Sequence, residues 1–247
     1  MMLAAALDLD GTIIGVNEEI SAAVRGAISR LAGHMPVFIA TGREPADVLR
    51  YSRELGLTTP QLCDGGANIL DPVRGVSVWT SPLGPKSAEA VVTKLRETGT
   101  AFVATHDNGT ASTFDDVPNW NLIRVSALDM DEGTANALAD SFRGNQDMYV
   151  VKALLPYNGL WAVDFTLAGV DKAAGISRVG ETLGVDPANM VAAGDSYNDL
   201  PMLRICGLGI AMGGAPEEVK AIADFVAPSV EEDGLAVAIN DFVLPQL

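Results

Sequence analysis

The sequence predicts an α/β protein: a Rossmann-like core built on a parallel sheet and interrupted by an inserted α+β lobe. Three observations carry this expectation. Short apolar runs alternate with amphipathic helical stretches in the first and last thirds of the chain, the pattern of a parallel sheet wrapped by helices. The middle third has a different texture, with several strand-like runs beside two helical ones. A length of 247 residues exceeds one average domain of roughly 100 to 200 residues and falls short of two full ones.

The elements follow in order. Met1 to Leu7 is apolar, has no basic segment ahead of it and runs directly into Asp8 and Asp10, so residues 3–9 read as a buried strand and not as a leader. Helical spacing of apolar residues predicts helices over 18–31 and 44–55, the second closed by Gly56 as a C-cap, with strands at 36–40 and 61–63. In the middle, strands are expected at 101–104, 122–125, 149–154 and 161–165, and helices at 87–98 and 132–142. All three tryptophans, Trp79, Trp120 and Trp161, fall in this lobe or at its edge. Gly65-Gly66 and Pro82-Leu83-Gly84-Pro85 are hinge or linker material near the first crossing. The last third returns to alternation: helix 172–183 closed by Gly184, strand 190–193, short helix 199–203, strand 208–211, helix 216–223, strand 225–227 and a final helix over 231–242. The expected division is 1–80 and 168–247 for the core and 81–167 for the insert.

Composition narrows the function. Hydrophobic residues make up 48%, enough to bury a core without disulfides or metal staples. Cys63 and Cys206 sit in apolar segments with no CxxC spacing, which predicts buried thiols in a reduced, cytoplasmic compartment. A net charge of −16 repels nucleic acid and anionic membranes, and no run reaches the ~18 apolar residues of a span, so neither is an expected partner. The same charge repels small phosphates. An enzyme acting on them needs a bound cation and a few well-placed basic residues.

Such a set is present. In Leu7-Asp8-Leu9-Asp10-Gly11-Thr12 a strand ends at two aspartates spaced i and i+2, beyond the carboxyl end of a parallel sheet, where ligands bind in open α/β folds. Two anions that close need a cation, and Mg²⁺ suits them because it takes hard oxygen ligands and binds phosphate oxygens. Alone, the bland reading of an Asp-Gly turn is the better one. A second strand-and-turn, Val191 to Asp199, repeats the arrangement with Asp195 and Asp199 at i and i+4. Between them, Thr41-Gly42-Arg43 ends a third strand ahead of a helix, where a phosphate oxygen finds donors, and Lys172 opens a later helix with a point charge.

Taken together the motifs resemble the haloacid dehalogenase (HAD) superfamily, and within it the Cof-like phosphatases with a type IIB cap, over nearly the whole chain. The four motifs stand in family order: Asp8-x-Asp10-Gly11-Thr12, Thr41-Gly42-Arg43, Lys172, and Gly194-Asp195-x-x-Asn198-Asp199, with the insert between the second and third as the cap. The resemblance implies a Mg²⁺-dependent phosphomonoester hydrolase acting on a small phosphorylated metabolite, a sugar phosphate or a compound like phosphoglycolate. Asp8 would attack phosphorus to give an aspartyl-phosphate, and Asp10 would protonate the leaving oxygen and then activate water. Thr41, Gly42, Lys172 and Asn198 would hold the phosphoryl group; Asp8, Asp10, Asp195 and Asp199 would form the metal site, Asp10 through its carbonyl. Asp64 departs from the pattern, standing where Asn is usual in the loop after the third strand. A monomer or homodimer is expected.

Rival readings are weaker. Gly194-Asp195-Ser196 matches a serine-esterase nucleophile, yet no histidine follows Ser196. A phospho-acceptor regulatory module of the same fold would also use a strand-end aspartate, but would not need Asp10, Lys172, Asp195 and a cap. No GxxxxGK[ST] segment exists for a nucleotide-hydrolysing motor. His34 reads as a surface or capping residue and His106 as a substrate-contact candidate in the insert; Arg124 could meet a substrate carboxylate, but an exposed sheet arginine is the better reading. Arg43 reads as a partner for a nearby carboxylate.

Overall fold

A computed structural model describes residues 2–155 and 157–247, so Met1 of the first apolar run lies outside them. In chain order, β1 (Ala4–Leu7), α1 (Ala22–Ala32), β2 (Val37–Ile39) and α2 (Pro45–Leu55) lead into a three-stranded antiparallel sheet of β3 (Gln61–Cys63), β4 (Asn68–Asp71) and β5 (Val76–Thr80). The insert contributes α3 (Pro85–Thr98), β6 (Phe102–His106), β7 (Gly109–Ala111), β8 (Leu122–Met130), α4 (Glu132–Ser141), β9 (Met148–Leu155) and β10 (Leu160–Leu167). Then follow α5 (Lys172–Leu183), β11 (Met190–Gly194), α6 (Leu200–Ile205), β12 (Leu208–Ala211), α7 (Glu217–Lys220), β13 (Phe225–Val226) and α8 (Gly234–Val237).

The core sheet runs β13-β12-β11-β1-β2 with every pairing parallel. β1 lies at its heart because its residues are small and apolar on both faces. Ala5 and Leu7 join one hydrophobic cluster, with Ile28, Leu31 and Leu235, while Ala4 and Ala6 join the opposite one, with Ile176 and Met202. Leu7 pairs with Ala193 on one side and Ile39 on the other, so Asp8, Asp195 and Thr41 emerge from adjacent strands at one edge.

The insert forms a second, antiparallel sheet ordered β7-β6-β8-β10-β9. Alternation sorts its faces. Val125, Ala127, Val163 and Phe165 pack against Val91, Leu95 and Leu138 of the two helices. Arg124, Ser126, Leu128, Ala162 and Asp164 point the other way and line a cavity that reaches Asp8.

Several expectations are corrected. The strand 61–63 pairs antiparallel with β4 and touches β2 through one parallel bridge, Ala40 with Leu62, because the Gln61 side chain takes the next Ile39 N–H. The final helix is not continuous: Asp233 sits in the left-handed region (φ 56°) after a Ser229–Glu232 capping box, and the helix restarts at Gly234. The helix expected over 216–223 shrinks to α7. Strands β4, β5 and β7 carry no earlier expectation, although Val76 and Val78 alternate after an Asp71-Pro72 turn and Asn108-Gly109 marks a hairpin. Gly66 is no loose hinge. Its φ is 110°, and a Cβ there would stand 2.0 Å from the Asp171 carbonyl, so its missing side chain is what seats the loop against the start of α5.

Candidate active site

Asp8 follows β1 directly and is buried, with its backbone N–H donating to the Ala193 carbonyl at 2.9 Å. Lys172 is the first residue of α5, whose N-cap Asp171 accepts from Ala174. The Lys172 side chain is 2% exposed, and its ammonium donates to Asp8 Oδ1 and Asp199 Oδ1 at 2.6 Å each. Asp199 spends its other oxygen on the backbone: Oδ2 accepts from the Asp195 and Ser196 N–H groups at 3.0 Å each, which shapes the turn after β11. That turn presents Asp195 to Asp8. Gly11 (φ 75°) makes room for it, since a Cβ on Gly11 would fall 2.1 Å from Asp195 Oδ2.

Asp8, Asp195 and Asp199 thereby offer carboxylate oxygens that all lie within 4.8 Å of one another. Burial, then the Asp199 charge, push the Asp8 carboxyl up to about 7 against the pull of Lys172. Burial and then the Asp8 charge raise Asp195 well above the ordinary carboxylate range. Burial by itself lowers the Lys172 ammonium, but the Asp199 and Asp8 charges outweigh it and hold it above its usual range. More negative charge is packed here than one ammonium balances. Hard oxygen donors with an unmet charge and a cradle cleared by Gly11 fit a small divalent cation such as Mg²⁺.

Asp10 is not part of that carboxylate cluster. Its side chain turns to Arg43, whose Nη2 and Nε donate to it at 2.7 and 2.9 Å, and Arg43 also holds Glu18 at 2.6 Å and Asp47 at 3.2 Å. The expectation that Arg43 meets a nearby carboxylate therefore understates it. Thr41 is buried, and its hydroxyl accepts from the Arg43 N–H; Thr41, Gly42, Asp10, Asp195 and Asn198 all line one cavity of about 330 Å³ with Asp8. Ser196 donates to Asn198 at 2.8 Å, so among the described residues it has no base and the esterase reading lacks a mechanism.

Above this floor lie residues whose pairing the sequence did not disclose. Arg124, expected to be exposed, is 6% exposed and buried between two carboxylates: Nη1 donates to Asp164 at 2.8 Å and Nε to Asp64 at 3.1 Å. Asp64, the departure from the family pattern, also accepts from Thr105 at 2.8 Å and Asn68 at 3.1 Å, while its backbone N–H donates to the Arg43 carbonyl. Burial raises the Asp64 carboxyl, and Arg124 draws it back only in part. Strand alternation puts Arg124 on the face opposite Val125 but does not tell a buried ion pair from an exposed arginine. His106 and Trp120 do not line the cavity; His106 accepts from Asn108 at the β6–β7 hairpin, and Trp120 packs edge-on to Phe114. His34 is exposed at the end of α1, as expected.

Comparison with known proteins agrees with this geometry. The haloacid dehalogenase-like hydrolase family matches residues 5–153 and 155–239. The 5-amino-6-(5-phospho-D-ribitylamino)uracil phosphatase YcsE of Bacillus subtilis is 28% identical over 242 residues, 97% of this chain and 95% of that protein. A phosphoglycolate phosphatase of Halorubrum lacusprofundi is 30% identical over 238 residues, 96% of this chain and 95% of its own. Among solved structures, a sugar phosphatase of HAD subclass IIB superposes with a TM-score of 0.83 at 22% identity, covering 98% of this chain and 99% of that one.

Proposed function

The chain belongs to the haloacid dehalogenase-like hydrolases, in their Cof-like subclass IIB, and is a phosphatase; from that premise we propose that it hydrolyses the monoester of a small phosphorylated metabolite through a phosphorylated Asp8, with Mg²⁺ as cofactor. The observation that carries the reading is the buried ammonium of Lys172 shared between Asp8 and Asp199, with Asp8 in turn lining one cavity together with Asp195, Thr41 and Gly42.

In the proposed reaction an Asp8 carboxylate oxygen bonds to phosphorus as the ester bond to the leaving oxygen breaks, and Asp10 gives that oxygen a proton. The second step runs in reverse sense. Asp10 takes a proton from water, the water oxygen attacks phosphorus, and the Asp8 carboxylate leaves with its electron pair, releasing inorganic phosphate. Arg43 holds the Asp10 side chain on the cavity wall, and one Asp10 oxygen would have to leave that pair to carry the proton. Lys172, the Thr41 hydroxyl and the Gly42 amide hold the phosphoryl oxygens, where charge accumulates in a loose transition state. Asp8, Asp195 and Asp199, with the Asp10 carbonyl, would hold Mg²⁺, which supplies positive charge that lets a phosphate dianion approach a carboxylate. Asn198 orients the turn through Ser196.

We assign residues 1–80 and 168–247 to the core and 81–167 to a cap that covers the cavity. Separate hydrophobic clusters support the division: one draws on residues 83–165 alone, and the two flanking the core sheet use none of these. The test is hydrolysis of an aryl phosphate with and without Mg²⁺. Wild-type activity should require the ion and vanish in Asp8→Asn, because an amide cannot attack phosphorus. Undiminished turnover by a folded Asp8→Asn protein would sink the mechanism.

A further inference from the structure

Besides Asp8, Asp10 and Asp195 the cavity is walled by four further carboxylates, and both cations that line it are already paired with carboxylates. Glu18, Glu44, Asp47 and Asp164 line it, against two cations, Arg43 and Arg124. Both guanidinium groups are already matched. Arg43 serves Asp10, Glu18 and Asp47, and Arg124 serves Asp64 and Asp164. A leaving group bearing a carboxylate or a second phosphate would therefore meet like charge, with the Nη2 edge of Arg124, whose charge Asp64 and Asp164 already balance, as the donor left to it.

One wall atom is offered to a donor. Asp164 Oδ1 is taken by Arg124, whereas Oδ2 has no hydrogen bond from any described residue and lies beside the phosphate-binding turn, 3.6 Å from where a Cβ on Gly42 would stand. Arg124, itself fixed by Asp64, holds this carboxylate on the inner face of β10. The remaining lining from the cap sheet is largely apolar, including Val103, Leu128 and Leu155, and suits the C–H faces of a small carbon skeleton.

We propose that this chamber selects the leaving group by charge. It takes esters of uncharged polyols or amino alcohols, with Asp164 Oδ2 accepting from the hydroxyl or ammonium group nearest the phosphate, and it rejects esters of hydroxy acids. Asp164 is thus a binding residue, and Arg124 and Asp64 position it. The proposal rests on the phosphatase reading above and narrows its substrate class.

Matched pairs test it in the Mg²⁺-loaded wild-type enzyme, with kcat/KM measured for glycerol 3-phosphate against 3-phosphoglycerate, for 2-hydroxyethyl and 2-aminoethyl phosphate against phosphoglycolate, and for an aryl phosphate as reference. The uncharged or amino member of each pair should be preferred by at least ~100-fold, the factor that one unpaired like charge in a confined site imposes. Asp164→Asn, which keeps the shape and removes the charge, should shrink each ratio by at least ~10-fold and raise KM for 2-aminoethyl phosphate more than it lowers kcat. Turnover of the aryl phosphate together with acid esters hydrolysed as well as their alcohol counterparts would overturn the proposal and leave the phosphatase reading standing. Preference for the alcohols with ratios unmoved by Asp164→Asn would overturn the role of Asp164. No turnover of any ester would overturn the phosphatase reading and this proposal with it.

Discussion

Two buried clusters share one formula, a cation between two carboxylates, and do different things. Lys172 lies between Asp8 and Asp199 under the core sheet's edge; Arg124 lies between Asp64 and Asp164 where the cap meets the loop after β3. The difference is in what surrounds each pair. Around Lys172, Asp195 adds negative charge that no cation among the described residues pairs with, and in the proposed mechanism the compact, flexible ammonium would turn to the phosphoryl group. Around Arg124, Thr105 and Asn68 donate to Asp64, and the Nε and Nη1 of the planar fork are committed to two fixed partners. In the proposed mechanism the unbalanced charge is the reacting end of the cavity and the paired charge its scaffold.

Breaking the two clusters should separate these roles. Lys172→Met should lower kcat on an aryl phosphate by about 10³-fold, because it removes a buried donor aimed at the transferring group. Arg124→Met should lower it by less than about tenfold while costing about 3 kcal/mol of stability, since it leaves Asp64 and Asp164 buried without their cation. Steady-state kinetics paired with urea titrations would read both, and equal catalytic losses in the two variants would erase the distinction.

A gentler probe is pH. A carboxyl raised to about 7 binds its proton more tightly folded than unfolded, so the stability that it contributes is complete below about pH 4 and is lost as pH rises through 7. Asp195 acts with the same sign. Mg²⁺ would take the proton's place. The stability difference between Mg²⁺-loaded and EDTA-treated protein should therefore grow from pH 5 to pH 8, with a slope no steeper than about 1.4 kcal/mol per pH unit for each group. Urea titrations across that range giving a constant difference would mean that the cation does not relieve the Asp8 cluster.

The two clusters also differ in how much of each the sequence discloses. The Lys172 cluster is legible because its members close or open regular elements with local signatures: Asp8 ends an apolar strand, Asp195 and Asp199 sit in a glycine-led turn, and Lys172 follows an N-cap aspartate. The parallel core follows from the same alternation, down to Gly56 and Gly184 as left-handed helix ends. The Arg124 cluster has no such signature. Asp64, Arg124 and Asp164 come from a loop and two strands about 60 and 40 residues apart, and only the docking of one sheet over the other brings them together. Nothing local separates Arg124 from any solvent-facing sheet arginine. The C-terminal segment shows the opposite failure: helical spacing after Glu231 is genuine, but Gly234 approaches Pro228 too closely for a side chain, and the left-handed Asp233 splits the helix.

The central claim is that Asp8 carries the phosphoryl group and Asp10 is needed to release it. Asp10→Ala, mixed with an aryl phosphate and Mg²⁺ and quenched in acid on the millisecond scale, tests it most directly. The account predicts stoichiometric phosphate on the protein, located to the peptide containing Asp8, appearing with a fast burst of aryl alcohol and decaying at least ~100-fold more slowly than wild-type turnover. A burst with no protein-bound phosphate, or phosphate found on a peptide lacking Asp8, would contradict it.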